Sequence, residues 1–411
     1  MTKQTFVIVG AGLAGAKAAE ELREQGFDGR VVLIGEEPER PYERPPLSKD
    51  YLRGESERDK AHVHGPEWYA DHEIELLTGV GVSAVDPGSS RVLLEDNREL
   101  AYDALLLATG AEPRRLPVPG AELDGIYYLR TLADCDALRS RLETGGHVAV
   151  VGAGWIGSEV AASARQRGLE VTVIDPLAVP NERIFGERVG AFYRDVHVQH
   201  GVSMMLGRGV AAFVGENTVA QVRTNDGASV ECDFVVVGVG VVPRSGLAHA
   251  AGLEVENGIA VDERLVSSVP NIYAAGDVAN AWHPFFKRRL RVEHWANALN
   301  QGPAAARSML GREVSYERIP YFFSDQYDVG MEYSGFADRW DEVVFRGDPE
   351  AGEGFVAFWL RDGCVLAGMN VNVWDVNEQV QELIRSRRPV DRRALADPGT
   401  PLDSLLALSE R

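Results

Sequence analysis

Cysteine is scarce. Cys135, Cys232 and Cys364 are the only three in 411 residues, far apart, with no C-x-x-C and no metal-ligand spacing. That excludes a disulfide framework and a thiol redox pair. Long apolar runs are missing as well: none approaches the roughly 20 residues a membrane span needs. MTKQTFVIVG enters an apolar strand with neither a hydrophobic leader nor a cleavage site, so a cytosolic protein is expected. Positive charge is in deficit, 42 Lys and Arg against 62 Asp and Glu, and the net charge of −20 argues against nucleic acid or an anionic membrane as partner. What remains is an ordinary globular composition, 45% apolar and 25% charged. The chain is too long for one core, and about two to four domains are expected.

An internal repeat is present. FVIVGAGLAG (6–15) and VAVVGAGWIG (148–157) are each a short apolar strand followed by G-x-G-x-x-G, and an alanine-rich helix follows each, AKAAEELREQG and SEVAASARQRG. Each helix leads to a second apolar strand, VVLIGEE or VTVID. Uninterrupted apolar strands suit a parallel sheet covered on both faces. Both units close alike, with YDALLLATGAEPR (102–114) and CDFVVVGVGVVPR (232–244): an acid, an apolar strand, a glycine, then Pro-Arg. From about Pro320 the texture changes to strand-like runs, EVVFRG and GFVAFWLRDGCVLAGMNVN, and a helical tail, VNEQVQELIRSRR. The expected fold class is α/β: two Rossmann-like dinucleotide-binding domains plus a C-terminal α+β domain.

One G-x-G-x-x-G is weak evidence, whereas two in strand–turn–helix context are strong. Gly10 and Gly152 permit the tight turn, Gly12 and Gly154 let the backbone approach a pyrophosphate, and Gly15 and Gly157 allow close helix packing. The alternative is a pair of glycine turns without ligand. Glu36 and Asp175 stand at about the 20-residue offset where a carboxylate meets ribose hydroxyls. Asp175 would repel a 2′-phosphate, which favours NADH over NADPH; Glu36, beside Glu37, could equally be a surface acid. Two dinucleotide sites suggest a resident FAD and a visiting nicotinamide, with a hydride passing between them. Asp277 in AAGDVAN stands among small residues suited to a close approach by the resident cofactor. In PYERPPLSKD (41–50), prolines bracket Arg44 and present Ser48 and Lys49.

VGAGLAG, RPPLSK, LLLATGAEPR, VGAGWIG, GVGVVP, AAGDVA and EHWANA, in this order, resemble the FAD- and NADH-dependent ferredoxin and rubredoxin reductases that serve oxygenases and P450s. The likeness covers essentially the whole chain. It implies a glutathione-reductase-like plan: an FAD domain at 1–112 and 243–319, an NAD domain at 113–242 and a C-terminal interface domain at 320–411. It also implies that Arg44 and Lys49 lie along FAD, with Lys49 near the isoalloxazine ring, where a cation stabilises reduced flavin. Glu159 is set close to the nicotinamide and within reach of Lys49, and Trp295 beside the flavin. Ala14, Val82, Arg130 and Asp277 match further FAD-contacting positions, and Ile156 and Arg183 match NAD-contacting ones; prolines 176 and 180 before Arg183 are unusual for the family. From the residues alone, Lys49 could be a solvated loop lysine, Glu159 a first-turn acid complementing its helix dipole, and Trp295 a core residue.

The implied activity is NADH:ferredoxin oxidoreductase, NADH giving a hydride to FAD and electrons leaving singly to an iron–sulfur protein. Lys287, Arg288, Arg289 and Arg291 cluster before Trp295 and could steer an acidic ferredoxin, or else form a solvated loop or touch FAD itself. A rubredoxin acceptor fits the same motifs. So does a non-enzymatic role like that of apoptosis-inducing factors. A disulfide or peroxide reductase would need a cysteine in the first βαβ unit or in RPPLSK, and neither holds one.

Overall fold

The computed structural model describes residues 3–408. Its contacts divide the chain into two compact units. The first comprises the chain up to Pro45, Glu57–Glu112 and Val241–Arg318; the second comprises Pro46–Ser56, Pro113–Gly240 and the chain from Ile319 onward.

The first unit is built on five parallel strands in the order Ile272–Ala274, Ala104–Leu107, Thr5–Val9, Arg30–Ile34, Ile74–Leu77. Phe6, Val7, Ile8 and Val9 are all buried, which is why this strand reads as an unbroken apolar run. The helix Leu13–Glu24 packs along the helix Trp295–Met309, and small residues set that closeness. A Cβ added at Gly302 would lie 2.3 Å from the Ala14 carbonyl oxygen.

The second unit repeats the plan. Its parallel strands run Ser203–Leu206, Glu170–Asp175, His147–Val151, Phe234–Val237, Ile126–Tyr128. In both sheets the strand leading into the glycine turn is central, flanked by the two strands the sequence repeat supplies. The C-terminal part of this unit is a five-stranded antiparallel sheet ordered Tyr321–Gln326, Val329–Gly335, Cys364–Val371, Phe355–Arg361, Glu342–Arg346. The helix Asn377–Ser386 lays Val380, Leu383 and Ile384 on it at helical spacing. Trp359, fully buried, donates from Nε1 to the Phe185 carbonyl at 3.1 Å and so ties the sheet to the short helix Glu182–Phe185.

The segment Pro46–Ser56 joins the second unit through specific bonds. The Cys135 thiol donates to the Leu47 carbonyl at 3.2 Å, Ser163 Oγ to the Ser48 carbonyl at 2.7 Å, and the Tyr51 hydroxyl to Asp136 at 2.5 Å. Leu47, Ser48, Tyr51 and Leu52 are buried there. The segment is therefore not a freely solvated loop: its apolar side chains Leu47, Tyr51 and Leu52 are internal.

Candidate functional site

Each glycine turn has the same division of labour. Gly10 has φ +115° and Gly152 φ +105°, and a Cβ would stand 2.1 Å from the Ala108 oxygen at the first and 2.4 Å from the Gly238 oxygen at the second. At Gly15 and Gly157 a Cβ would come within 2.0 and 1.9 Å of the carbonyl oxygens of Gly10 and Gly152. These four glycines are required by the protein's own packing. The middle ones are not: a Cβ on Gly12 meets nothing within 4 Å, and one on Gly154 meets only the Gly238 oxygen at 4.0 Å. Both are helix N-caps in extended conformation with no side-chain cap, so the first N–H groups of each helix are left without a capping side chain. A glycine that nothing internal requires, at a positive helix end, fits a phosphate group approaching the backbone.

The ribose candidates differ. Asp175 is buried, and its carboxylate accepts from the Ala153 N–H at 2.7 Å and the Leu177 N–H at 2.8 Å, one bond to each oxygen. It braces the glycine turn, and lone pairs remain for a ligand hydroxyl. Asn181, at φ 51°, donates its N–H to the Ala153 carbonyl at 3.3 Å, and its buried side-chain Nδ2 has no partner among the described residues. An unmet donor beside the second turn is consistent with a polar ligand there. Ile156, 42% exposed, stands in the first helical turn, and Arg183 is exposed on the helix Glu182–Phe185. Glu36 is exposed and paired with Arg244 at 2.5 Å.

Arg44 is held within the first unit. It donates to the Tyr42 hydroxyl at 3.1 Å and pairs with Glu37 at 3.4 Å, and Tyr42 in turn donates to Glu37 at 2.5 Å. Burial opposes the Arg44 charge, but Tyr42, Glu37 and Asp277 outweigh it and raise the guanidinium pKa above its ordinary value. Asp277 lies in the 3₁₀ turn Gly276–Val278; the Gly276 N–H donates to Gln301 at 2.9 Å, and a Cβ on Gly276 would touch that of buried Ala14. Val82 starts the strand Val82–Asp86, and Trp295 starts its helix, both half-buried. Arg130 lies in the second unit, half-buried, its N–H on Asp134 at 3.1 Å just ahead of the Thr131–Asp134 capping box.

The densest polar chemistry surrounds Glu159. Lys49 Nζ lies 2.9 Å from Oε2, to which Ser48 Oγ also donates at 2.5 Å, while Ser324 Oγ donates to Oε1 at 2.7 Å. The side chains of Lys49 and Glu159 are 13% and 5% exposed. The two hydroxyls beside the ammonium are the extra bonds a buried ion pair needs to offset its desolvation. The Lys49 ammonium also lies 5.5 Å over the Phe323 ring. Partial desolvation raises the carboxyl pKa of neighbouring Asp325, with Glu159 adding to it against Lys49 and Arg53. Trp155, one helical turn before Glu159, packs edge-on against Phe185, Tyr193 and Phe322.

The structure thus brings Lys49 and Glu159 together. Sequence reasoning missed Ser324, Gln326, Glu37, Tyr42 and Gln301. A signal existed for two of them: in YFFSDQ (321–326), Ser324 and Gln326 share the inward face with Phe322, and polar residues there call for partners. Of the four basic residues, Lys287 and Arg288 are exposed at the hairpin of Ala279–His283 and Arg288–Arg291. Arg289 is turned onto the Val261 carbonyl at 2.6 Å, and Arg291 binds Asn257 at 3.2 Å and pairs with Glu293. All three cysteines are free; burial, with Asp233 and Glu231 adding, pushes the Cys232 thiol up to about 12. Among the described residues no helix is long and apolar enough to cross a membrane, and no cluster of metal-ligating side chains exists.

Residues 4–302 match the pyridine nucleotide-disulphide oxidoreductase family, and residues 321–406 the reductase C-terminal family. The chain is 37% identical to putidaredoxin reductase of Pseudomonas putida over 98% of its own length and 97% of that protein's. It is 40% identical to the ferredoxin–NAD(+) reductase component of the anthranilate 1,2-dioxygenase system of Burkholderia cepacia, across 99% and 100% of the two chains. The solved covalent putidaredoxin reductase–putidaredoxin complex superposes with a TM-score of 0.95 at 36% identity, covering 100% of each chain. The repeated glycine turn in two parallel sheets has its explanation in these matches: the chain belongs to the pyridine nucleotide-disulphide oxidoreductase family and carries a reductase C-terminal domain as well.

Proposed function

We propose that this protein is an NADH:ferredoxin-type reductase, taking electrons from NADH and passing them one at a time, by way of FAD, to an iron–sulfur protein that supplies a P450 or a ring-hydroxylating oxygenase. The observation that carries this reading is the pair of turns whose middle glycines face open space before uncapped helix starts. Relatives alike over their whole length, named for ferredoxin and putidaredoxin reduction, support it.

FAD, when bound, supplies the chemistry of accepting a hydride and releasing two electrons singly. The chain's own residues bind and orient. Gly10, Gly12, Ala14, Gly15, Glu36, Arg44, Val82, Arg130, Asp277 and Trp295 would hold FAD, and Gly152, Gly154, Ile156, Gly157, Asp175 and Arg183 would hold NADH. Lys49 would supply a positive charge to bound flavin, and Glu159 would hold that lysine in place in the absence of nicotinamide. The domains follow the same reading, an FAD domain of 1–112 and 243–319, an NAD domain of 113–242 and a C-terminal interface domain of 320–411, working in the cytoplasm. An acidic ferredoxin docks at the basic hairpin, with exposed Lys287 and Arg288 foremost and Arg289 and Arg291 shaping it from behind.

The test is anaerobic mixing of the flavin-loaded protein with NADH, then with a panel of purified ferredoxins and rubredoxins, followed by flavin bleaching and cytochrome c reduction. Rapid turnover with a ferredoxin is expected, and Glu159→Ala should slow flavin reduction by about 10- to 100-fold. Very slow reduction of the native protein would favour the non-enzymatic role, and turnover confined to rubredoxins would replace the acceptor.

A further inference from the structure

The hydrogen bonds around Glu159 do not stop at Ser324. Gln326, two residues along the same strand face, donates from Nε2 to Ser324 Oγ at 3.3 Å, and its Oε1 lies 3.0 Å from Nε2 of His197. His197 is fully buried on the helix Glu187–Gln199, with Nδ1 3.2 Å from the Tyr327 hydroxyl. Tyr327 is fixed in turn, at φ 58° in the tight turn after the strand Tyr321–Gln326, its ring stacked on His200 at 3.7 Å.

These bonds run in one direction only. The Ser324 hydroxyl has a single proton, given to the Glu159 carboxylate, so towards Gln326 it can only accept. Gln326 must then turn its NH₂ group to Ser324 and its oxygen to His197. That oxygen needs a donor, so His197 carries its proton on Nε2, and Nδ1 accepts from Tyr327. A carboxylate thereby sets the tautomer of a histidine three hydrogen bonds away.

We propose that Ser324, Gln326 and His197 are positioning residues for the Lys49–Glu159 pair, a one-way hydrogen-bond chain that orients Glu159 and keeps it hydrogen-bonded when Lys49 withdraws. The need is physical. A buried carboxylate deprived of its only donor resists losing it, whereas Glu159 keeps the hydroxyls of Ser48 and Ser324 on separate oxygens. Lys49 then leaves at a lower cost than from a carboxylate with no other donor, and Glu159 stays aimed. The inference rests on the roles proposed above for Lys49 and Glu159.

The test uses flavin-loaded protein labelled with ¹⁵N-histidine, the His197 resonances being assigned by their loss in His197→Asn. In the native protein Nε2 should carry the proton and Nδ1 should not. Glu159→Gln provides a side chain that can donate to Ser324, so the chain loses its direction and the His197 resonances should shift. Ser324→Ala should shift them as well, and Ser324→Thr, which retains the hydroxyl, should restore them. On mixing with NADH, Ser324→Ala and Gln326→Met should reduce flavin about three- to tenfold more slowly at unchanged flavin content, Ser324→Thr again restoring the rate. His197 resonances indifferent to both Glu159→Gln and Ser324→Ala would overturn the proposal, even if Glu159→Gln slowed reduction. Resonances that respond while Glu159→Gln reduces flavin at the native rate would leave the chain standing and remove the proposed role of Glu159.

Discussion

Single residues here divide by what demands them. Gly15 answers to the Gly10 carbonyl, and Gly12 to nothing inside the protein. The two should therefore fail differently on substitution. Gly12, at φ −86° in extended backbone, accepts an alanine without strain, so Gly12→Ala should keep its melting temperature as apoprotein yet release FAD about tenfold more readily. Gly15→Ala, with its methyl forced against backbone, should lower the apoprotein's melting temperature first. Thermal melts of flavin-free protein and equilibrium flavin titration separate the two, and equal melting losses would mean that Gly12 too is a packing residue.

At the scale of elements, the C-terminal sheet is joined to the Glu182–Phe185 helix by a polar bond inside an apolar cluster. Trp359, Phe185, Tyr193, Phe322 and Tyr333 pack together there, and Trp359 Nε1 satisfies the Phe185 carbonyl. Trp359→Phe removes both a donor and ring volume, so it should destabilise by about 2–3 kcal/mol. Denaturant midpoints measure this, and a loss below about 0.5 kcal/mol would show that the carbonyl finds another partner. The same strand logic makes the role of Ser324 illegible in the sequence: its hydrophobic neighbours advertise a core strand, while the carboxylate it serves is 165 residues away in sequence.

For the whole molecule, acid should be harmful in a defined window. Burial pulls the imidazoles of His197 and His294 down to about 4 from 6.5, and lowers those of His64 and His283. Between those values the unfolded chain binds protons that the native protein refuses, so stability rises with pH through the window and is lost as pH falls from 6.5 towards 4. Fully buried His197 alone accounts for roughly 3 kcal/mol of this. Urea midpoints at pH 7 and pH 4.5 should show the loss, and His197→Asn should flatten the slope. Net charge acts at the same scale: under the proposed function an acidic ferredoxin would meet a molecule of charge −20, so its attraction would have to be local. Lys287→Glu with Arg288→Glu should raise the KM for ferredoxin several-fold and leave flavin reduction by NADH unchanged; an unaltered KM would move the docking site elsewhere.

The amino-acid sequence by itself determined the repeat, the central strands of both parallel sheets and the glycine turns. All of these are local: an apolar run, a turn and a helix start lie within about 20 residues, and backbone sterics read them directly. Tertiary structure decided that Lys49 meets Glu159, that Ser48 and Ser324 complete the carboxylate's bonds, and that Gln326 and His197 extend the hydrogen bonds beyond Ser324. It also turned Arg289 and Arg291 inward while leaving Lys287 and Arg288 outward. The reason is the same throughout. A buried polar group must find its partner wherever the fold places one, and that distance in space leaves no trace in the spacing of residues along the chain.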